Sequence, residues 1–427
     1  MSSKPPFESL RRPAAKVFVA TTVMLTFISF WRAAAIVLAD LGSSAFYVGG
    51  IAEQAIGKSA PWFILAVMLF SYAVRALYIE SSTMFVRGGV YRVVKEALGS
   101  TLAKVAVSAL MFDFLLTGPI SAVSAGQYMA GFVQNLGQHL GHPLEFNTNY
   151  FAAAFAVAVT AYFWWTNVQG IQETSSKAMR IMQITTVMVV MMIVWSLVTL
   201  WHVGVHLPPL PLHQNMRYGP DALGWLKGSA LTNILVIAGL IGFGHSVLAM
   251  SGEETLAQVY REIESPKVKN LEKAGLVIFI YSLLFTSLVS FFAVMIIPDA
   301  VRGRYLDNLI GGLAMYLTGP YTLRLVFQGF VVTVGALMLA GAVNTAIIGS
   351  NGVLNRVSED GVLTDWFRHP HRKFGTSHRI INLVVAAQIV TIILSRGDVT
   401  FLANLYAFGV IWSFALKGVS VLVLRYT

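Results

Sequence analysis

Cysteine is absent from the chain, and charge is scarce: 12% of its 427 residues are Asp, Glu, Lys or Arg, while 56% are hydrophobic. Without a thiol there is no disulfide framework, no thiolate nucleophile, no zinc–cysteine site and no iron–sulfur ligation. A soluble globular chain carries about 25% charged residues, so half the usual charge is missing. That deficit excludes a soluble enzyme and a disordered protein. The formal charge of +10 points to nucleic acid only where basic residues gather on a soluble domain. Here they sit in loops between apolar runs, and the mean hydropathy is +0.68. This is the composition of a polytopic membrane protein.

A bilayer-crossing helix needs about 20 mostly apolar residues. Ten segments qualify, at 28–56, 61–84, 101–134, 149–168, 178–202, 229–254, 274–298, 321–350, 380–396 and 399–426. The apolar stretch Val17–Trp31 is too short to span and reads as an interfacial helix or an extension of the first span. A signal peptide fits less well, since no small-residue cleavage site follows. The organisation expected is an N-terminal segment, 1–27, and one transmembrane domain, 28–427. With the N-terminus inside, twenty of the thirty basic residues fall on the cytoplasmic side, seven opposite and three (Arg32, Arg75, Lys417) in or at the ends of spans. That asymmetry places both termini in the cytoplasm.

Ile36–Gln54 is apolar up to Asp40, is interrupted by Leu41-Gly42-Ser43-Ser44, and then resumes. Gly and Ser in mid-span leave backbone groups free to coordinate a solute, or simply form a packed kink. Asp40 favours the site, because an intramembrane carboxylate costs on the order of 3 kcal/mol unless it faces a partner, an ion or water. The sixth span repeats the pattern: Gly242-Phe243-Gly244-His245, then Ala249-Met250-Ser251-Gly252 before Glu253-Glu254. Breaks five spans apart point to an inverted-repeat transporter with a midplane site, its repeats at about 28–202 and 229–426.

Four short motifs carry a family resemblance. They are Gly88-Gly89-Val90-Tyr91 with Val94–Gly99, Asn167–Ile171 with Glu173, Glu262–Pro266 with Lys269-Asn270, and Asn355-Arg356 with Glu359–Leu363 and Phe374–Thr376. In that order and at those places the chain resembles the amino acid–polyamine–organocation (APC) permease superfamily. Ser377-His378 departs from it, standing where the family commonly has a proline. The resemblance implies an all-α, LeuT-type fold of two inverted five-helix repeats. It also implies alternating access coupled to protons or sodium, a multi-pass place in a plasma membrane (a bacterial inner membrane as the natural case), and no enzymatic activity. Neither cofactor nor metal is expected.

The segment Asp40-Leu41-Gly42-Ser43-Ser44-Ala45-Phe46-Tyr47 is similar to the first helix of proton-coupled potassium importers of the Kup and Kim groups. Asp113, Thr117 and Ser121 follow at i,i+4 spacing and share one helix face, and such oxygens suit a dehydrated monovalent cation. The resemblance carries Ser251 and Tyr406 to the same ion, whereas Phe114 replaces a Tyr usual in those importers. The expected solute-binding set is therefore Asp40, Gly42, Ser43, Tyr47, Asp113, Thr117, Ser121, Ser251 and Tyr406, with Asp40, Asp113 and His245 as proton-coupling candidates. Each has a plainer reading. Asp113 pairs with Arg75, Thr117 and Ser121 bond between helices, the tyrosines belong to an interfacial belt, and His245 packs. Glu80 and Glu253 are weaker coupling candidates. The favoured function is proton-coupled movement of a cation such as potassium. An amino-acid or amine permease is the alternative, and a transporter-like sensor the reading from a different class. Expected partners are a small solute, a coupling proton and the lipid bilayer; a homodimer is an option, and nucleic acid is excluded.

Overall fold

The computed structural model describes residues 27–426, apart from 86–88, 171–174, 221, 230–233 and 360. The reading of Val17–Trp31 therefore lies largely outside the described residues, as do Gly88, Ile171, Glu173 and Asp360 of the family motifs. Its last residues are described: Ile28 is extended and exchanges backbone hydrogen bonds with Glu262 (2.8 Å) and Glu264 (3.1 Å), and Trp31 already belongs to the first helix.

Helices account for nearly everything else, as they must where no water satisfies a backbone in lipid. In chain order they are α1 (Phe30–Leu41), α2 (Val48–Ile56), α3 (Ala60–Met84), α4 (Gly89–His139), α5 (Thr148–Val168), α6 (Ser175–Val203), α7 (Leu235–Ser246), α8 (Thr255–Val259), α9 (Lys267–Ser282), α10 (Leu288–Ile296), α11 (Asp299–Arg302), α12 (Leu309–Met315), α13 (Tyr321–Glu359), α14 (His378–Ser395) and α15 (Val399–Tyr426). Among the described residues, nine helical stretches are long and apolar enough to cross a membrane, the one at Tyr91–His139 being kinked at the non-helical Gly99. Ten segments were expected. The difference arises because the first two follow each other without a loop within Phe30–Met84, which counts as one stretch. α14 starts at His378 without the family's proline, and Asn355 bonds the Ser377 hydroxyl at 3.0 Å.

Three interruptions shape the interior. A 3₁₀ turn, Gly42–Phe46, separates α1 from α2; another, Val247–Met250, ends α7; a π-turn, Leu283–Ser287, joins α9 to α10. The π-turn packs on the first break, Phe285 meeting Phe46 edge to face at 5.7 Å between ring centroids. Such turns inside α-helices mark functional places. The long helices α4, α13 and α15 pack against one another or α5 around this centre.

One end is closed by a polar network. Arg302 is buried against Glu53 (3.3 Å) and donates to the carbonyls of Val294 (2.6 Å) and Ile297. Gln54 donates to Asp307 at 3.1 Å and accepts from Thr400 at 2.6 Å. α2 approaches this cap so closely that a methyl on Gly50 would lie 1.7 Å from the Leu306 carbonyl oxygen.

Candidate functional site

The two breaks meet. The Ser44 hydroxyl reaches the carbonyl of Leu41 (2.7 Å) within its own break and that of Ala249 (3.1 Å) in the other. Directly after the second break, Gly252 takes φ +95°, and a methyl there would lie 2.7 Å from the Leu41 nitrogen and 3.2 Å from the Asp40 carboxyl carbon. Only glycine meets both conditions. This close approach lets α8 reach the acid: Thr255 Oγ1 donates to Asp40 Oδ2 at 2.7 Å.

α4 and α15 supply the opposite wall. The Tyr406 hydroxyl bonds Thr117 Oγ1 at 2.7 Å and also bonds the Ser251 hydroxyl, so one phenol ties α4, α15 and the second break. Thr117 Oγ1 lies 2.9 Å from the Asp113 carbonyl, one turn back. Asp113 itself is fully buried, and neither of its carboxylate oxygens makes a close hydrogen bond among the described residues, although the hydroxyls of Thr117 and Tyr406 stand near enough to stabilise it. Nor do the hydroxyls of Ser43, Tyr47 and Ser121 or Glu254 Oε2 make a close hydrogen bond among the described residues. Leaving a buried polar group unmatched costs about 1–3 kcal/mol, more when it is charged.

The family model described as amino acid permease matches residues 28–427. The chain belongs to the amino acid permease family. No curated relative matches it. This permease is accordingly a multi-pass, APC-type transporter, as its apolar helices require.

Of the expected site residues, the permease brings Asp40, Thr117, Ser251 and Tyr406 into bonded contact with neighbours across the breaks. Gly42, Ser43, Tyr47, Asp113 and Ser121 are buried. His245 is placed apart, its Nε2 2.9 Å from the carbonyl of Ala222.

Arg75 settles one alternative. It is buried and bidentate to Glu253, Nε to Oε2 at 2.9 Å and Nη2 to Oε1. The acid paired with Arg75 is thus Glu253 and not Asp113. Glu80 pairs with Arg425 at the helix ends.

Three buried residues were not anticipated. Thr255 holds Asp40. Glu254 is buried and lies in the field of Asp40 and Asp113. Lys417 is buried with its ammonium 5.4 Å from the Tyr78 ring centroid. The signal for Glu254 and Thr255 was Gly252, since a glycine directly before two acids inside an apolar run marks a local turn that can bury them. Lys417 showed only as a cation within a span.

Proposed function

We propose that this permease moves a small monovalent cation, potassium being the favoured one, together with a proton by alternating access between two inverted repeats. The observation that carries the reading is Asp113: a fully buried carboxylate with no basic partner among the described residues, in the field of Asp40 and Glu254 and beside the hydroxyls of Thr117 and Tyr406, the latter bonded in turn to Ser251. Arg75 is engaged by Glu253, so it does not neutralise this cluster. Three acids together repel a substrate carboxylate and attract a cation, and hard cations take oxygen ligands. Burial of Asp40, Tyr47, Asp113 and Tyr406 also suits an ion better than a larger solute.

In this mechanism the solute enters between the two breaks, where Asp40 and Asp113 face it with carboxylate oxygens. A proton on one of the carboxylates neutralises the loaded cluster, because carrying an uncompensated buried charge costs several kcal/mol. The bundle then rocks, the cluster opens to the cytoplasm and the proton leaves. Both termini lie on that side in this reading, which follows the loop charges.

A second reading, transport of an amino acid or amine, is favoured by the family description itself. There the amine sits on the carboxylates, and the substrate's own carboxylate takes backbone amides of the first break. One paired assay separates them: rescue of a potassium-uptake-deficient strain, scored beside radiolabelled amino-acid uptake into liposomes. Rescue abolished by Asp40→Asn supports the cation. Amino-acid uptake without rescue overturns it.

A further inference from the structure

A cavity of about 550 Å³ lies between α3, α7 and α15, and none of the three site carboxylates lines it. Its walls are apolar throughout, with Phe70 and Val74 from α3, Leu240 and Phe243 from α7, and Phe414 and Leu422 from α15. Only two lining side chains carry a polar group, Tyr78 and Lys417. Lys417 is 2% exposed. Among the described residues no carboxylate stands within ion-pair distance of it. Its contact is with the Tyr78 ring, 5.4 Å from ammonium to centroid. A desolvated ammonium with no counter-ion is costly, and here it borders a space of the size that holds one small ligand.

We propose that this cavity is a binding site for a long-chain monocarboxylate, its acyl tail along the apolar walls and its carboxylate on the Lys417 ammonium. Charge complementarity selects an acid, and the lining selects a hydrocarbon. Depth selects between acidic lipids. Lys417 precedes Arg425 by eight residues on one helix, about 12 Å along its axis, and Arg425 with Glu80 marks the helix ends. A phospholipid brings a bulky, strongly hydrated headgroup with its phosphate, whereas a single-chain acid brings only a small carboxylate that an ion pair with the buried ammonium can draw in. The site does not depend on which solute the permease carries.

The test uses the purified permease in phosphatidylcholine nanodiscs at pH 6.5 with a diazirine-bearing stearic acid as photoprobe. Labelling is expected on peptides covering residues 240–250 and 411–422. Oleate is expected to displace the probe at a concentration at least tenfold below that of oleyl alcohol, which has the same chain without the charge. Lys417→Met should erase this preference and Lys417→Arg should keep it. Labelling spread evenly over other apolar helix faces overturns the proposal. So does equal displacement by acid and alcohol, which is read on the unaltered protein even where the methionine variant fails to assemble. The readout is binding, so a permease that proves to carry an amino acid leaves it unmoved.

Discussion

Thr255 and Asp40, 215 residues apart in the chain, are joined by a 2.7 Å hydrogen bond that carries the short helix after the second break onto the acid before the first. A hydrogen bond to a charged group is worth about 1.5–3 kcal/mol. Thr255→Val is therefore expected to raise the half-saturating solute concentration about ten- to a hundredfold, while Thr255→Ser leaves it near its original value. Initial uptake rates in proteoliposomes check this, and a valine variant with unchanged saturation removes Thr255 from the site.

Arg75 and Glu253 make the opposite kind of prediction, one about stability. Removing a single member of a buried pair costs about 3–5 kcal/mol because the other charge stays buried. Arg75→Met alone should lower the thermal unfolding midpoint in detergent markedly. Adding Glu253→Met should recover most of the loss. A double variant no more stable than the worse single would show that the pair is not an isolated ionic unit.

Gly252→Ala tests the seam itself. The added methyl meets the Leu41 backbone at 2.7 Å, and the φ of +95° is strained for any residue with a Cβ. A strained backbone of this kind costs on the order of 1–3 kcal/mol. Uptake is expected to vanish while the protein still reaches the membrane, measured by transport set against surface expression.

Tyr406→Phe removes the phenol that joins Thr117 and Ser251. A neutral hydrogen bond is worth about 0.5–1.5 kcal/mol, so a two- to tenfold loss of transport is expected, against complete loss for Asp113→Asn. Equal effects of the two substitutions would reverse the ranking of carboxylate over hydroxyl.

A pH effect follows at the surface. Lys58 bonds Asp299 and holds its carboxyl below the usual carboxylate range. Both side chains are largely exposed, which limits the pair to about 1 kcal/mol or less. The stabilisation is present above the unfolded value of about 4 and is lost as pH falls through the lower folded value. Asp299→Asn should thus lower the unfolding midpoint slightly near pH 7 and not at all in strong acid.

The fold was legible because lipid imposes long apolar runs, and Gly42-Ser43 and Ser251-Gly252 stand out within them. Asp40 and Asp113 were legible for the same reason, as acids where acids are expensive. What stayed hidden were pairings between distant parts of the chain. Nothing local tells Arg75 that its acid lies 178 residues on. Glu253 and Glu254 looked like the charged margin of a span; the positive-φ turn at Gly252 instead leaves both buried. Lys417 was visible as a cation in a span, but its cavity is built by three helices that no spacing rule connects.

The clamp at Arg302 has a directional meaning. Its guanidinium is spent on Glu53, on Asp299 and on two carbonyls at the end of α10. To part the protein at that face, a single side chain must surrender two ion pairs, to Glu53 and Asp299, and two backbone acceptors together, and water must flood in to replace them. No gradual loosening is available there, so passage through that door should be all or nothing, with Arg302 as its bolt.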